Sequence, residues 1–278
     1  MRIELHEATA FAATGGKRFD PAQPALLFIH GAGLDSSVWA LHSRWFAFHG
    51  WSVLAVDLPG HGRTPGPPLE SIEAMADWVL ELSRRVGAQR HVLVGHSMGA
   101  LVALEAAARE PQRAGGLGLI GAAVRMPVHR DLLAAAKAND HAALDMLNLW
   151  GHGDAAALGG HEAPGLWMLG IGVRQFERAA PGIVHTDLAA CNAYAQAAAA
   201  AARVRCPTLV VCGARDRMTP LAGGRELAAL IPGAQIAVME DAGHMLMAER
   251  PLETRASLAR FLSDVVGGAA APVQAGVL

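Results

Sequence analysis

The sequence predicts an α/β fold: a mostly parallel sheet with helices on both faces and a helical lid inserted into it. Three observations lead there. Apolar runs of strand length recur at Ala25–Ile29, Ser52–Val56, His91–Val94, Gly116–Ile120, Thr208–Cys212 and Gln235–Met239, and strands apolar on both faces belong in a parallel sheet covered on both sides. Between several of them lie helical patterns, Ser71–Val86, Ala100–Arg109 and Leu221–Leu230, and this alternation is the pattern of α/β architecture. Finally, 278 residues with 52% apolar and 17% charged side chains can bury a full core, which suits a globular chain and not a disordered one.

Ahead of the first parallel strand, Arg2–Glu7 and Phe11–Thr14 can form an antiparallel edge hairpin. The strand–helix rhythm then breaks between Val124 and Ala202. That stretch holds helical periodicity (DLLAAAKANDHAALDMLNLW), a Gly/His-rich loop (GHGDAAALGGH) and a further apolar helix around Pro164–Phe176. It is too long for an ordinary crossover and reads as helices placed over the sheet. The expected organisation is a core of residues 1–123 and 203–266, a lid of 124–202 and a mobile tail of 267–278, which has little to pack.

Charge and cysteine usage narrow the partners. The formal net charge is −2 with no basic block, so the electrostatic footprint of a nucleic-acid binder is missing. No apolar span reaches the roughly 18 residues of a membrane helix, and MRIELHEATAF lacks the apolar stretch of a signal peptide. Cys206 and Cys212 bracket one strand and would lie roughly 20 Å apart, too far to pair with each other. An odd count of three cysteines fits a reducing, cytoplasmic location. Oligomeric state is not legible.

The chemistry centres on VLVGHSMGALVAL, Val92–Leu104. A buried strand passes into a helix through Gly95-His96-Ser97-Met98-Gly99, the Gly-x-Ser-x-Gly pattern of a nucleophile elbow. A sharp turn there lifts the serine hydroxyl clear of the sheet, and side chains two residues to either side would collide, hence glycine. A hydroxyl becomes a useful nucleophile when a base takes its proton and a third group orients that base. Asp216, in VVCGARDRMTP, and His244, in VMEDAGHMLMAERP, both follow strands. Ligands in open parallel sheets bind outside the carboxyl ends of the strands, where these loops converge.

With these motifs in the order Ser97, Asp216, His244, the chain resembles the α/β-hydrolase fold family of serine esterase- and lipase-like enzymes, over about residues 20–265. The resemblance also includes the His30-Gly31 loop, the Asp57-Leu-Pro-Gly-His-Gly62 turn, Pro207, and Gly243-His244 followed by Glu249-Arg-Pro251. It implies that Ser97 attacks an acyl carbonyl, His244 takes the proton and Asp216 holds the imidazole. The N–H groups of Ala32 and Met98 would form the oxyanion hole, each such donor lowering the barrier by about 3 kcal/mol. No metal or organic cofactor is required. The implied activity is hydrolysis of a small or medium, largely apolar carboxylic ester through an acyl-enzyme.

Competing readings bound these assignments. Asp241, three residues before His244, is the rival acid. His96 is expected to pack on the sheet or bond locally, His30 and His61 to bond within their loops, and Asp57 to serve its turn. His152, Asp154 and His161 lack metal-ligand spacing. Met146, Trp150, Trp167 and Met168 are candidate pocket residues, and Trp39 is expected to pack. The same fold also hosts carbon–carbon and enol-lactone hydrolases, for which Arg125, Arg174 or Arg178 could bind a substrate carboxylate, and non-catalytic ligand binders.

Overall fold

The structure, a computed structural model, describes residues 1–5, 8–157, 159 and 165–267. Its strands are β1 (Arg2–Glu4), β2 (Thr9–Ala13), β3 (Ala25–Ile29), β4 (Ser52–Asp57), β5 (His91–His96), β6 (Ala114–Ile120), β7 (Thr208–Gly213) and β8 (Gln235–Met239). They form one sheet in the order β1-β2-β4-β3-β5-β6-β7-β8. β1 and β2 pair antiparallel and β2 joins β4 antiparallel. Every other pairing is parallel. The central strands β3, β4, β5 and β7 are buried along their whole length. The edges are short and partly exposed, which limits pairing with other chains.

The expected strands are all present, with β5 running two residues further than its apolar pattern suggested. Gly95 and His96 stay in register with Leu119 and Ile120, so the turn begins only at Ser97. The edge hairpin forms from Arg2–Glu4 and Thr9–Ala13; residues 6 and 7 and the tail 268–278 lie outside the described residues, and Gly267 ends the last helix. Helices Ile72–Arg85, Met98–Arg109, Ala197–Arg203 and Leu221–Leu230 pack side by side on one face. Ala40–Phe48 and Pro251–Gly267 pack together on the other. Ile72–Arg85 shows why a helix forms where it does. The Ser71 hydroxyl accepts from the Ala74 N–H, Glu73 sits in the first turn, and Arg84 and Arg85 sit in the last, satisfying an orphan donor and complementing the helix dipole.

Between β6 and β7 the described residues of 124–202 contain only helices: Arg130–Lys137, Ala142–Gly151, Asp154–Ala157, Met168–Phe176, Ile183–Ala193 and Ala197–Arg203. The last of these returns to pack on Met98–Arg109.

The turn from β5 into Met98–Arg109 is tight and strained. Ser97 has φ 54° and ψ −119°, a left-handed conformation that costs a non-glycine residue about 1–3 kcal/mol. Its N–H donates to the Ile120 carbonyl at 2.9 Å and its carbonyl accepts from Ala100 at 2.9 Å, so the neighbouring strand and helix hold the strain. A Cβ on Gly95 would sit 2.0 Å from the Gly99 carbonyl oxygen, and one on Gly99 would sit 2.4 Å from the Ile29 carbonyl oxygen. The neighbours are backbone atoms and cannot swing away.

Two measurements follow. Gly99→Ala forces β3 and the helix apart and is expected to cost about 3 kcal/mol or more in urea denaturation; a variant as stable as the parent contradicts this packing. Burial holds His30, His42 and His91 at about 4 and His96 at about 3. The unfolded chain protonates its histidines near 6.5, so it takes up protons first as pH falls. Stability present at neutral pH is therefore lost from about pH 6.5 downward. Tm is expected to fall between pH 7 and pH 5, and a Tm that rises or stays level contradicts neutral burial of these rings.

Candidate active site

The loops after β3, β5, β7 and β8 meet at the carboxyl ends of the sheet. His244 and Asp216 touch directly: the His244 Nδ1–H donates to Asp216 Oδ2 at 2.8 Å, with both side chains buried. Asp216 Oδ1 accepts from the N–H groups of Met218 and Thr219, each at 2.8 Å, and Oδ2 accepts from the Thr219 hydroxyl at 2.7 Å. Burial alone would raise this carboxyl. The charge interaction with His244 and the hydrogen bonds from His244 and Thr219 outweigh burial and hold it below the ordinary aspartate range. Asp216 is thus a charged acceptor that fixes the imidazole with its other nitrogen outward. That nitrogen, Nε2, is buried and has no hydrogen-bond partner among the described residues. Asp241 is exposed, and the acid bonded to the imidazole is Asp216.

Ser97 and His244 line one cavity of about 400 Å³. Gly31 lies against the serine: a Cβ there would come 3.3 Å from Ser97 Cβ and 2.8 Å from His96 Nδ1. The next residue, Ala32, lines the same cavity as Ser97. Met98 opens its helix, so its N–H has no acceptor one turn earlier. The Ser97 N–H is already committed to Ile120. Ala32 lines the cavity, and Met98 follows Ser97 as the first residue of its helix.

The histidines near the site are held neutral or paired. The His96 Nε2–H donates to the His244 carbonyl at 3.0 Å, so His96 supports the backbone of a residue 148 positions away, where packing on the sheet or a local bond was expected. Burial holds it at about 3. His30 donates from Nδ1 to the Gly31 carbonyl at 2.9 Å and accepts at Nε2 from the Leu58 N–H at 3.2 Å. Asp57 takes the Ser36 N–H at 2.7 Å and the Arg63 N–H at 2.8 Å, the turn-holding role expected of it. Trp39 is fully buried with its ring centroid 4.9 Å from that of Phe28.

The insertion supplies much of the cavity wall through Met126, Leu132, Leu147, Trp150, Phe176 and Leu188. Of the four expected pocket residues only Trp150 lines it. Trp167 is 71% exposed and its ring folds back over Gly170, where a Cβ would meet it at 2.2 Å. Met168 is buried elsewhere, and Met146 packs on the core beside the cavity. Leu147 and Trp150, three residues apart on Ala142–Gly151, share the face that lines the cavity. Arg125, Arg174 and Arg178 do not line the cavity; Arg174 pairs with Glu177 and Arg178 with Asp35 at 2.9 Å. The arginine of the lining is Arg217, whose guanidinium pairs with Asp154 at 2.8 Å. His152 Nδ1 bonds the Asn148 carbonyl at 2.8 Å, and His161 lies outside the described residues.

Sequence reasoning gave no role to four anchors. Thr219 braces Asp216 as above. Gly151 of the insertion accepts the N–H groups of both His244 and Met245 at 2.9 Å. Buried Glu249 accepts from Gly153 N–H at 2.8 Å, from Gly243 N–H at 3.1 Å and from Met245 N–H at 3.2 Å. Asp187, fully buried on Ile183–Ala193, accepts from the Gly33 N–H and from His61 Nε2, each at 2.8 Å. His61 Nδ1 meets the Pro59 carbonyl at 2.9 Å. Burial disfavours the charged ring, but the Asp187 hydrogen bond and charge outweigh it and raise His61 above its ordinary value. The sequence did carry a signal for Asp187: a lone carboxylate within the apolar run IVHTDLAAC.

Residues 26–257 match the family model described as "Alpha/beta hydrolase family". The chain is 32% identical over 263 residues to a pimeloyl-[acyl-carrier protein] methyl ester esterase of Aromatoleum aromaticum, covering 88% of this chain and 99% of that one. Among solved structures, the enol-lactonase from Burkholderia xenovorans LB400 aligns with a TM-score of 0.83 at 24% identity, covering 94% of this chain and 99% of that one. A thermophilic esterase aligns with a TM-score of 0.77 at 25% identity, covering 95% and 97%. The sheet order, the strained serine turn and these matches agree: the chain belongs to the alpha/beta hydrolase family.

Proposed function

We propose that this chain is a serine hydrolase that cleaves a small or medium, largely apolar carboxylic ester through an acyl-enzyme. The observation that carries the reading is the buried Asp216–His244 hydrogen bond at 2.8 Å, with His244 Nε2 left open in the cavity that Ser97 lines. A positioned base with a free lone pair beside a strained, outward-turned hydroxyl is the arrangement that nucleophilic catalysis needs.

In this reading Ser97 Oγ attacks the ester carbonyl carbon as its proton passes to His244 Nε2. The carbonyl oxygen becomes an oxyanion, held by the N–H groups of Ala32 and Met98. Collapse breaks the bond to the alcohol oxygen, which leaves with the proton returned by His244. Water then gives a proton to His244 and attacks the acyl carbon; a second collapse frees the carboxylic acid and restores Ser97. Asp216 stays ionised throughout and stabilises the imidazolium. Ala32 and Met98 act as Ser97 attacks, when hydrogen bonds aimed at the developing charge are worth most in a water-poor cavity.

The substrate class follows from the walls. A cavity of about 400 Å³ faced by Leu, Met, Phe and Trp side chains favours an acyl or alcohol chain of several carbons, each buried methylene contributing about 0.8 kcal/mol. Residues 124–202 act as the lid of this cavity. The esterase among the relatives supports an ester as substrate. Three free, buried cysteines support a reducing compartment; among the described residues no helix is long and apolar enough to cross a membrane.

A series of p-nitrophenyl esters from acetate to decanoate tests the reading. We expect kcat/KM to rise with chain length and then drop once the cavity is filled. Ser97→Ala is expected to lose at least about 10³-fold in kcat. Undiminished turnover by Ser97→Ala removes the serine mechanism, and no turnover of any ester by the parent favours a ligand-binding role for the fold.

A further inference from the structure

Asp187 stands out because it is a fully buried carboxylate, belongs to the insertion, and has both known partners on the opposite side of the site. Those partners are Gly33, in the loop after β3, and His61, in the Asp57–Gly62 turn after β4. Burying a charged carboxylate is costly unless it is paired and hydrogen-bonded. Both bonds go to one oxygen, Oδ2, while Oδ1 has no partner among the described residues. The carboxylate is therefore placed for these two donors.

The Gly33 bond bears on the reaction because of the loop's shape. Leu34 N–H closes onto the Gly31 carbonyl at 3.2 Å, making a turn with Ala32 and Gly33 at its centre. Gly33 has φ 68°, the value a type II turn requires at its third position. Ala32 brings only a methyl group to this turn and Gly33 brings none, so side-chain packing cannot fix it. Besides the Leu34 closure, the bond that holds its apex is Gly33 N–H to Asp187. A Cβ on Gly33 would lie 3.0 Å from Val184 Cγ2, which shows how closely the apex sits on the Asp187 helix.

His61 makes the carboxylate's charge sustainable. Its two ring nitrogens face two acceptors, the Pro59 carbonyl and Asp187. A doubly protonated ring donates to both, and the Asp187 hydrogen bond and charge favour that form by raising His61 above its ordinary value. The His30 ring lies alongside, 4.8 Å from His61 between centroids, and donates to Gly31 at the start of the same turn.

We propose that Asp187 is a positioning residue for the oxyanion site: the insertion, through this side chain, holds the turn that presents the Ala32 N–H to the reacting carbonyl. The proposal rests on the ester-hydrolase reading above. It means the inserted helices are part of the catalytic apparatus as well as a cover for the substrate. A misplacement of about 1 Å in such a group can cost about 10²-fold in rate.

The test compares Asp187→Ala and Asp187→Asn with the parent. Asp187→Ala is expected to lower kcat about 100-fold with KM changed less than threefold, since substrate binds the walls and the turn acts on the transition state. Asp187→Asn keeps an oxygen for Gly33 and is expected to recover about tenfold of that loss. Backbone hydrogen exchange at Gly33 is expected to quicken in both variants while β5 stays protected. A kcat within twofold of the parent in both variants overturns the proposal, whatever happens to Tm. Should the parent hydrolyse no ester, the ester reading falls by itself; Gly33 exchange then decides the placement of the turn, and an unchanged rate in Asp187→Asn overturns it.

Discussion

A serine held at φ 54° is the constraint around which the site is built. An L-residue does not rest there unaided, and the surroundings that keep it there also fix the neighbouring groups. Ile120 on β6 takes its N–H, and the first turn of the following helix takes its carbonyl. The close approach of Gly95, Gly99 and Gly31 then sets how near β3 and its loop come to the hydroxyl. The contacts at Gly95 and Gly99 are with backbone, and Gly31 meets the side chains of His96 and Ser97, so the serine turn and the loop after β3 form one rigid assembly. That rigidity is what preorganised electrostatic stabilisation requires.

The second organising feature is the depth to which the insertion is tied into this assembly. Gly151 accepts the His244 and Met245 N–H groups, and Gly153 donates to Glu249, which also gathers the N–H groups flanking His244. On the other side Asp187 reaches the turn containing Ala32 and Gly33. The inserted helices thus meet the His244 loop and the Gly31–Leu34 turn through buried hydrogen bonds. Buried backbone groups seldom go unpaired, because leaving one so costs about 1–3 kcal/mol. Displacing the helices would break several such bonds at once, so the cavity is a fixed chamber with its walls set by the fold.

What could be read from the sequence divides along a physical line. Strands β3 to β8, the helices between them and the Ser97–Asp216–His244 order were legible because each rests on local pattern: apolar runs, glycines at a turn, a motif after a strand. The convergence of the four loops followed from the rule that parallel strands end on one side of the sheet. The cavity walls were less legible. Trp150 faces the cavity while Trp167, Met168 and Met146 do not, and the difference depends on how short helices rotate against each other. Arg217 was hidden beside Asp216, whereas Arg174 and Arg178 of the insertion pair elsewhere. Thr219, Glu249 and Asp187 escaped because their roles are long-range bonds to backbone, and side-chain identity alone does not reveal which N–H a carboxylate will meet.

The central claim is that Ser97 is an activated nucleophile, and a fluorophosphonate tests it most directly. The reagent phosphonylates a serine only where a base removes the proton and donors hold the developing oxyanion. Intact-protein and peptide mass spectrometry should find one adduct per chain, located on Ser97, with no adduct in Ser97→Ala. An unlabelled parent protein, or a label that persists elsewhere in Ser97→Ala, would contradict the account.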